Sequence, residues 1–155
     1  MQLNPNQVFV FGTNSDGFHG AGGAGLACRG ESANTWRDDQ WFLQAMRSSI
    51  GSPGRIGKWA IFGVSLGFQQ GREGMSYGIQ TVTKPGHKRS ISLDEIASQI
   101  QELWDFVGLH PEWEFLISPL GEGYAGYSAY EMSEIWDRVK ASVNHPNVIF
   151  LPKNS

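Results

Sequence analysis

The chain predicts an α/β domain of three layers, with helices on both faces of a mixed, mostly parallel central sheet. Two observations lead there. Short apolar runs rich in β-formers alternate with longer segments whose apolar residues recur at helical spacing. The first run, "VFVF" at 8–11, is apolar at every position, as suits a strand buried on both faces of a parallel sheet.

Taken in order, "QVFVF" (7–11) lies between Asn-Pro and Gly and reads as the first strand. Residues 20–29 open a helix, because "LAC" follows the last of a group of glycines. Residues 36–47 read as a further helix, with Trp36, Phe42 and Met46 partly buried. The stretch "RSSIGSPGRIG" (47–57) reads as a surface connection. "KWAIFGVS" (58–65) and "SYGIQTV" (76–82) read as strands.

Residues 92–107 carry Leu93, Ile96, Ile100, Leu103 and Val107 on one helical stripe, behind a Ser92-x-x-Glu95 capping box. "WEFLIS" (113–118) is the next strand. Residues 128–143 repeat the helical device, with Ser128 and Glu131 as the box and Met132, Ile135, Trp136, Val139 and Val143 as the stripe. "NVIFLP" (147–152) closes the set as a strand.

With 155 residues, 40% hydrophobic and 17% charged, the chain is long enough for a core and too apolar for disorder. No repeat or linker divides it, so 1–155 reads as one domain. A net charge of −3 offers no broad basic surface to nucleic acid. The one cysteine, Cys28, excludes an internal disulfide and a multi-cysteine zinc site, and its helical setting makes it an inert core residue. No two histidines stand at metal-ligand spacing, so no structural metal is expected, and no cofactor is called for either. The start "MQLNPNQ" lacks the basic and apolar regions of a signal peptide, and no apolar run nears the roughly 20 residues of a membrane helix. The expectation is a soluble cytoplasmic protein with no membrane partner.

Chemistry concentrates in glycine-rich segments. "FGTNSDGFHGAGGAGLACRG" (11–30) follows the first strand and leads into a helix. "SPLGEGYAGYSAYE" (118–131) follows the strand at 113–118 and leads into a capped helix. Loops at such strand-to-helix junctions border the ligand crevice of open α/β sheets. Glycines there let backbone N–H groups converge on an anion, and a helix N-terminus adds partial positive charge. Two such loops facing each other can hold a diphosphate without a lysine; the alternative is a pair of structural turns. A third segment, "GFQQGREGMSYG" (67–78), lies between strands and reads as a flap or rim. Neither main loop fits the P-loop or dinucleotide fingerprint.

Together, "VFVFGTNSDGFHGAGGAGLA", "SYGIQT" and "FLISPLGEGYAGYSAYE" resemble the macrodomain pattern. The nearer likeness is to small macrodomain-like proteins of bacteria and phages, which begin Phe-Gly-Ser/Thr-Asn and contain His-Gly-Ala-Gly. The resemblance implies a macrodomain-type fold and a pocket for ADP-ribose or a related nucleotide, held between residues 12–25 and 120–127. It places Gly12, Thr13 and Asn14 at the end of the first strand, with Asn14 on the distal ribose. It sets His19, Gly20, Ala21, Gly22, Gly23 and Ala24 in the first phosphate loop. Gly121, Glu122, Gly123, Tyr124, Ala125, Gly126 and Tyr127 then form the second loop over the diphosphate, with Tyr124 near the distal ribose. Three features depart from the pattern. The usual Asn-Ala-x-Asn is shortened to Thr-Asn, the adenine-binding aspartate of the first strand is absent, and Glu122 puts a carboxylate in the second loop.

Asn14, Asp16 and His19 are the candidates for chemistry. His19 is a general base or phosphate donor, or it braces the loop through a backbone hydrogen bond. Asp16, and also Glu122, can activate a water against an anomeric carbon; alternatively Asp16 belongs to an "NSDG" turn. Asn14 contacts a ribose hydroxyl or caps its own turn. Tyr124 and Tyr127 stack on a ligand or pack on the sheet. The basic run His87-Lys88-Arg89 attracts an anion if it borders the pocket mouth, and is otherwise solvated surface. His110 and His145, each before a proline, read as structural. Three functions remain open: an ADP-ribosyl or phosphate-ester hydrolase, a binding module that senses or sequesters such a nucleotide, and an interaction domain with a vestigial pocket.

Overall fold

The computed structural model describes residues 1–48 and 54–153. The described residues form five strands: β1 (Gln7–Asn14), β2 (Gly67–Gln70), β3 (Met75–Val82), β4 (Glu114–Ile117) and β5 (Val148–Phe150). Their α-helices are α1 (Gly22–Arg29), α2 (Gln40–Ser48), α3 (Leu93–Leu109) and α4 (Ala129–Ser142). One sheet holds all five strands in the order β2-β3-β1-β4-β5. β1 lies parallel to β3 and β4, β4 lies parallel to β5, and only β2 runs antiparallel to its neighbour β3. This is the mixed, mostly parallel sheet that the sequence predicts.

The apolar run of β1 explains the three layers. Val8 and Val10 point to one face, where they meet Ile96, Ile100 and Leu103 of α3 and Ile135 and Val139 of α4. Phe9 and Phe11 point to the other, where they meet Ala24, Ala27 and Cys28 of α1 and Phe42 of α2. All four β1 residues are at most 2% exposed, so neither face of the strand sees water. Burying one such side chain contributes roughly 1.5–3 kcal/mol. Cys28 lies in this second cluster as expected, and burial pushes its thiol up to about 12.

The helices start where the sequence marks them. Ser92 Oγ accepts the Glu95 N–H at 3.1 Å, the serine half of a capping box. At α4 both halves form: Ser128 Oγ accepts from Glu131 N at 3.0 Å, and Glu131 Oε1 accepts from Ser128 N at 2.9 Å. The predicted 36–47 helix divides in two. Trp36–Asp38 is a 3-10 turn, and α2 begins after Asp39, whose Oδ1 accepts the Phe42 N–H at 3.0 Å. Phe42 is fully buried, while Trp36 and Met46 are half-buried.

The strand expected at 58–65 does not form. The N–H groups of Lys58, Trp59 and Ala60 donate instead to the carbonyls of Cys28 and Ala27, at 2.7–2.9 Å. Those carbonyls end α1 and have no partner within the helix, so the segment satisfies the helix terminus rather than the sheet. Its apolar residues Trp59, Ala60 and Phe62 are buried against α1 and α2. The missing strand is β2, inside the segment read as a flap; residues 67–78 are an edge strand and a turn into β3, built into the sheet. Of the predicted 47–57 connection, residues 49–53 lie outside the described residues. Among the described residues no helix is long and apolar enough to cross a membrane.

Candidate functional site

The topology makes a crevice between β1 and β4. β1 and β4 are parallel neighbours, but β1 leads into α1 on one face and β4 leads into α4 on the other. Loops that depart to opposite faces from adjacent strand ends leave a gap between them. A cleft of about 1000 Å³ lies there, and both glycine turns line it.

The first turn contributes Gly12, Thr13, Asn14 and Gly20 to Ala24 to the lining. Gly23 and Ala24 sit in the first turn of α1, whose cap residue Ala21 supplies no side-chain acceptor. Among the described residues neither of their N–H groups has a hydrogen-bond acceptor, whereas Gly22 N donates to Ser32 O at 2.7 Å and Gly25 N to Ala21 O at 2.9 Å. The second turn contributes Gly121 to Ala125. There the N–H groups of Gly121, Glu122, Gly123 and Tyr124 are likewise without acceptors among the described residues. Gly22 and Gly123 both hold left-handed backbone, at φ 63° and 60°, and a methyl added to either would meet nothing within 4 Å. Glycine is therefore required there by backbone conformation, not by crowding.

The three candidates for chemistry separate. Asn14 lines the cleft, and its Oδ1 accepts the Phe18 N–H at 3.0 Å. That bond occupies the side-chain oxygen and leaves the NH2 as the group on the cleft side without an acceptor among the described residues. Asp16 is exposed on a turn closed by Gly17 N donating to Asn14 O at 3.1 Å, and it does not line the cleft. His19 is wholly buried behind the turn. Its Nε2 donates to Val64 O at 2.7 Å, and its ring packs edge-on to Phe11 at 5.4 Å. Burial holds its pKa down at about 4 against the pull of the Val64 and Ile61 carbonyls. His19 thus stands in the bracing arrangement, a neutral ring that does not line the cleft.

The second turn also sorts its tyrosines. Tyr124 lines the cleft with half its surface exposed. Tyr127 turns inward instead, donating its hydroxyl to Ile91 O, and Gly126 packs against Lys88, so neither lines the cleft. Glu122, whose carboxylate is unfavourable beside an anion, meets Lys153 at 3.1 Å. Thr13 is buried with its hydroxyl donating to Ser65 O at 2.8 Å. His110 stacks on Trp113 at 4.1 Å and His145 packs on Trp104 at 5.1 Å, away from the cleft.

Sequence reasoning missed the cleft's side wall. Trp36 lies edge-on to Phe18 at 5.0 Å, and Arg37 rests 4.2 Å from the centre of the Trp36 ring. All three line the cleft. Trp36 fits so closely over the first turn that a methyl on Gly20 would stand 3.0 Å from its Cδ1. Arg29 holds this wall in place: Nε donates to Gly20 O at 2.8 Å, and the guanidinium also reaches Ala33 O, Thr35 Oγ1 and Asp39. The one signal available was the adjacent Trp-Arg pair in a polar connection; Lys153 gave none, because its partner is 31 residues away. No protein-family model matches this chain, and no curated protein matches it in sequence.

Proposed function

We propose that the protein binds ADP-ribose or an ADP-ribose-derived nucleotide, with the diphosphate between the two glycine turns. One observation carries the reading: turns from two neighbouring parallel strands line a single cleft, and both offer backbone N–H groups with no acceptor among the described residues. Such groups, with the positive end of α1 beside them, suit the oxygens of a diphosphate. Arg37 and Lys153 border the same cleft and add local positive charge to a chain that is acidic overall. The ADP-ribose class within nucleoside diphosphates follows from the likeness of both turns to the macrodomain pattern.

Binding without turnover is the better-supported form of this reading. Among the described residues, the one carboxylate that lines the cleft is Glu122, and it is paired with Lys153. Asp16 stands outside the cleft and His19 is enclosed. A general base needs hydrogen-bond reach to the water that it activates, and neither residue has that access in this arrangement. The protein therefore fits a module that senses or sequesters its nucleotide.

The test pairs melting with product analysis, using ADP-ribose, its cyclic form and an ADP-ribosylated protein. Ligand at a hundredfold excess over Kd stabilises by about 2.7 kcal/mol, a readily measured rise in melting temperature. A rise with no new product by chromatography is the expected result. Turnover that disappears in Asn14→Ala and Asp16→Ala would replace the binder with a hydrolase. No rise with any of these ligands would overturn the nucleotide reading itself.

A further inference from the structure

The basic run that the sequence singles out belongs to the connection between β3 and α3, residues 83–92, and its Pro85 lines the cleft. Within it, Arg89 is the one non-glycine residue among those described with left-handed backbone, at φ 56°. That conformation brings the Cβ of an L-residue close to its following carbonyl and persists only where surrounding contacts enforce it. Here the contacts all lead to the second glycine turn and the helix after it.

The Arg89 N–H donates to Ala125 O at 2.7 Å. Its guanidinium donates to both carboxylate oxygens of Glu131, at 2.8 and 2.9 Å, and lies 4.8 Å over the Tyr127 ring. Tyr127 in turn closes the glycine turn, its N–H donating to Gly121 O at 3.0 Å, and anchors its hydroxyl on Ile91 O. The stem of Lys88 covers Gly126 so closely that a Cβ there would stand 2.8 Å away. Glu131 is the same residue that completes the α4 capping box. The paired guanidinium and the Ser128 N–H hold its carboxyl down at about 2, so the clamp stays charged throughout the ordinary pH range.

We propose that Arg89 is a positioning residue: by clamping Glu131 and covering Tyr127 it holds residues 121–127 in the shape that faces the cleft. The 83–92 connection and the second turn then act as one body, and diphosphate affinity depends on a side chain that does not itself line the cleft. This rests on the reading of the cleft as a nucleotide site. A bidentate guanidinium–carboxylate pair supplies direction as well as charge, which a lysine at the same place would not.

Arg89→Gly tests the proposal, because glycine keeps the left-handed backbone and the bond to Ala125 while it removes the guanidinium. Glu131→Gln tests the other side of the clamp, and a carboxamide still accepts from Ser128. For both variants, titration calorimetry should show ADP-ribose binding weakened about tenfold, with adenosine binding unchanged. Wild-type affinity for ADP-ribose in both variants, or an equal loss for adenosine, would overturn the proposal. Amide hydrogen exchange on the ligand-free protein tests the clamp independently of any ligand. Exchange at 125–127, whose N–H groups are bonded within the turn, should quicken in Arg89→Gly while α1 keeps its protection, and unchanged exchange would overturn the clamp. If the wild-type protein binds no ADP-ribose, the nucleotide reading falls, and the exchange measurement still decides whether Arg89 positions the turn.

Discussion

His19 shows how far one residue's environment governs its role. In "FHGAG" it has the neighbours of a phosphate-loop histidine, yet it is enclosed between Phe11 and the Val64 carbonyl. Its pKa is about 4 in the fold, against the ordinary histidine value of 6.5. Between those values the unfolded chain binds a proton that the folded chain refuses, so this residue's contribution falls as pH drops from 6.5 towards 4 and is flat below. Two and a half pH units correspond to at most about 3 kcal/mol. Denaturant unfolding at pH 7.5 and 4.5 should therefore show a smaller loss for His19→Gln than for the wild type. Equal losses would remove His19 as a source of the acid sensitivity. Asn14 is the reverse case: the turn occupies its oxygen, and what remains for a ligand is a donor.

Among the elements, α3 and α4 were legible because stripe and cap agree: 92–107 became Leu93–Leu109, and 128–143 became Ala129–Ser142. The cap at Ser128 is an energetic claim as well as a boundary. Ser128→Ala should cost about 1 kcal/mol. In a domain of this size that lowers the melting temperature by roughly 3 °C, and no change would show the cap to be dispensable. The strand at 58–65 was misread because burial and β-formers mark an apolar segment without saying what its backbone bonds to. Here the backbone meets the orphan carbonyls of α1. β2 escaped notice for a related reason. Its one buried side chain is polar: Gln69 accepts the Ile61 N–H at 2.8 Å and donates to Val64 O at 3.0 Å. Alternating hydrophobicity does not reveal a strand whose inward residue is a glutamine.

At the scale of the molecule, the crevice follows from order and handedness of connection more than from any motif. β1 and β4 become neighbours because α3 carries the chain from β3 across β1, and their exits then diverge to the two faces. Both glycine turns were readable, since each lies next to its strand in sequence. The wall was not, because Phe18, Trp36, Arg37 and Lys153 reach the cleft only through packing that residues such as Arg29 and Glu122 direct. The central claim is that two distant turns grip one diphosphate. Residue-resolved amide NMR of the isotope-labelled protein during titration with ADP-ribose tests it most directly. The expected result is saturable shifts at Gly23 and Ala24 together with Gly121 to Tyr124, following one binding curve. Shifts in only one turn, or none in either at millimolar ligand, would contradict it.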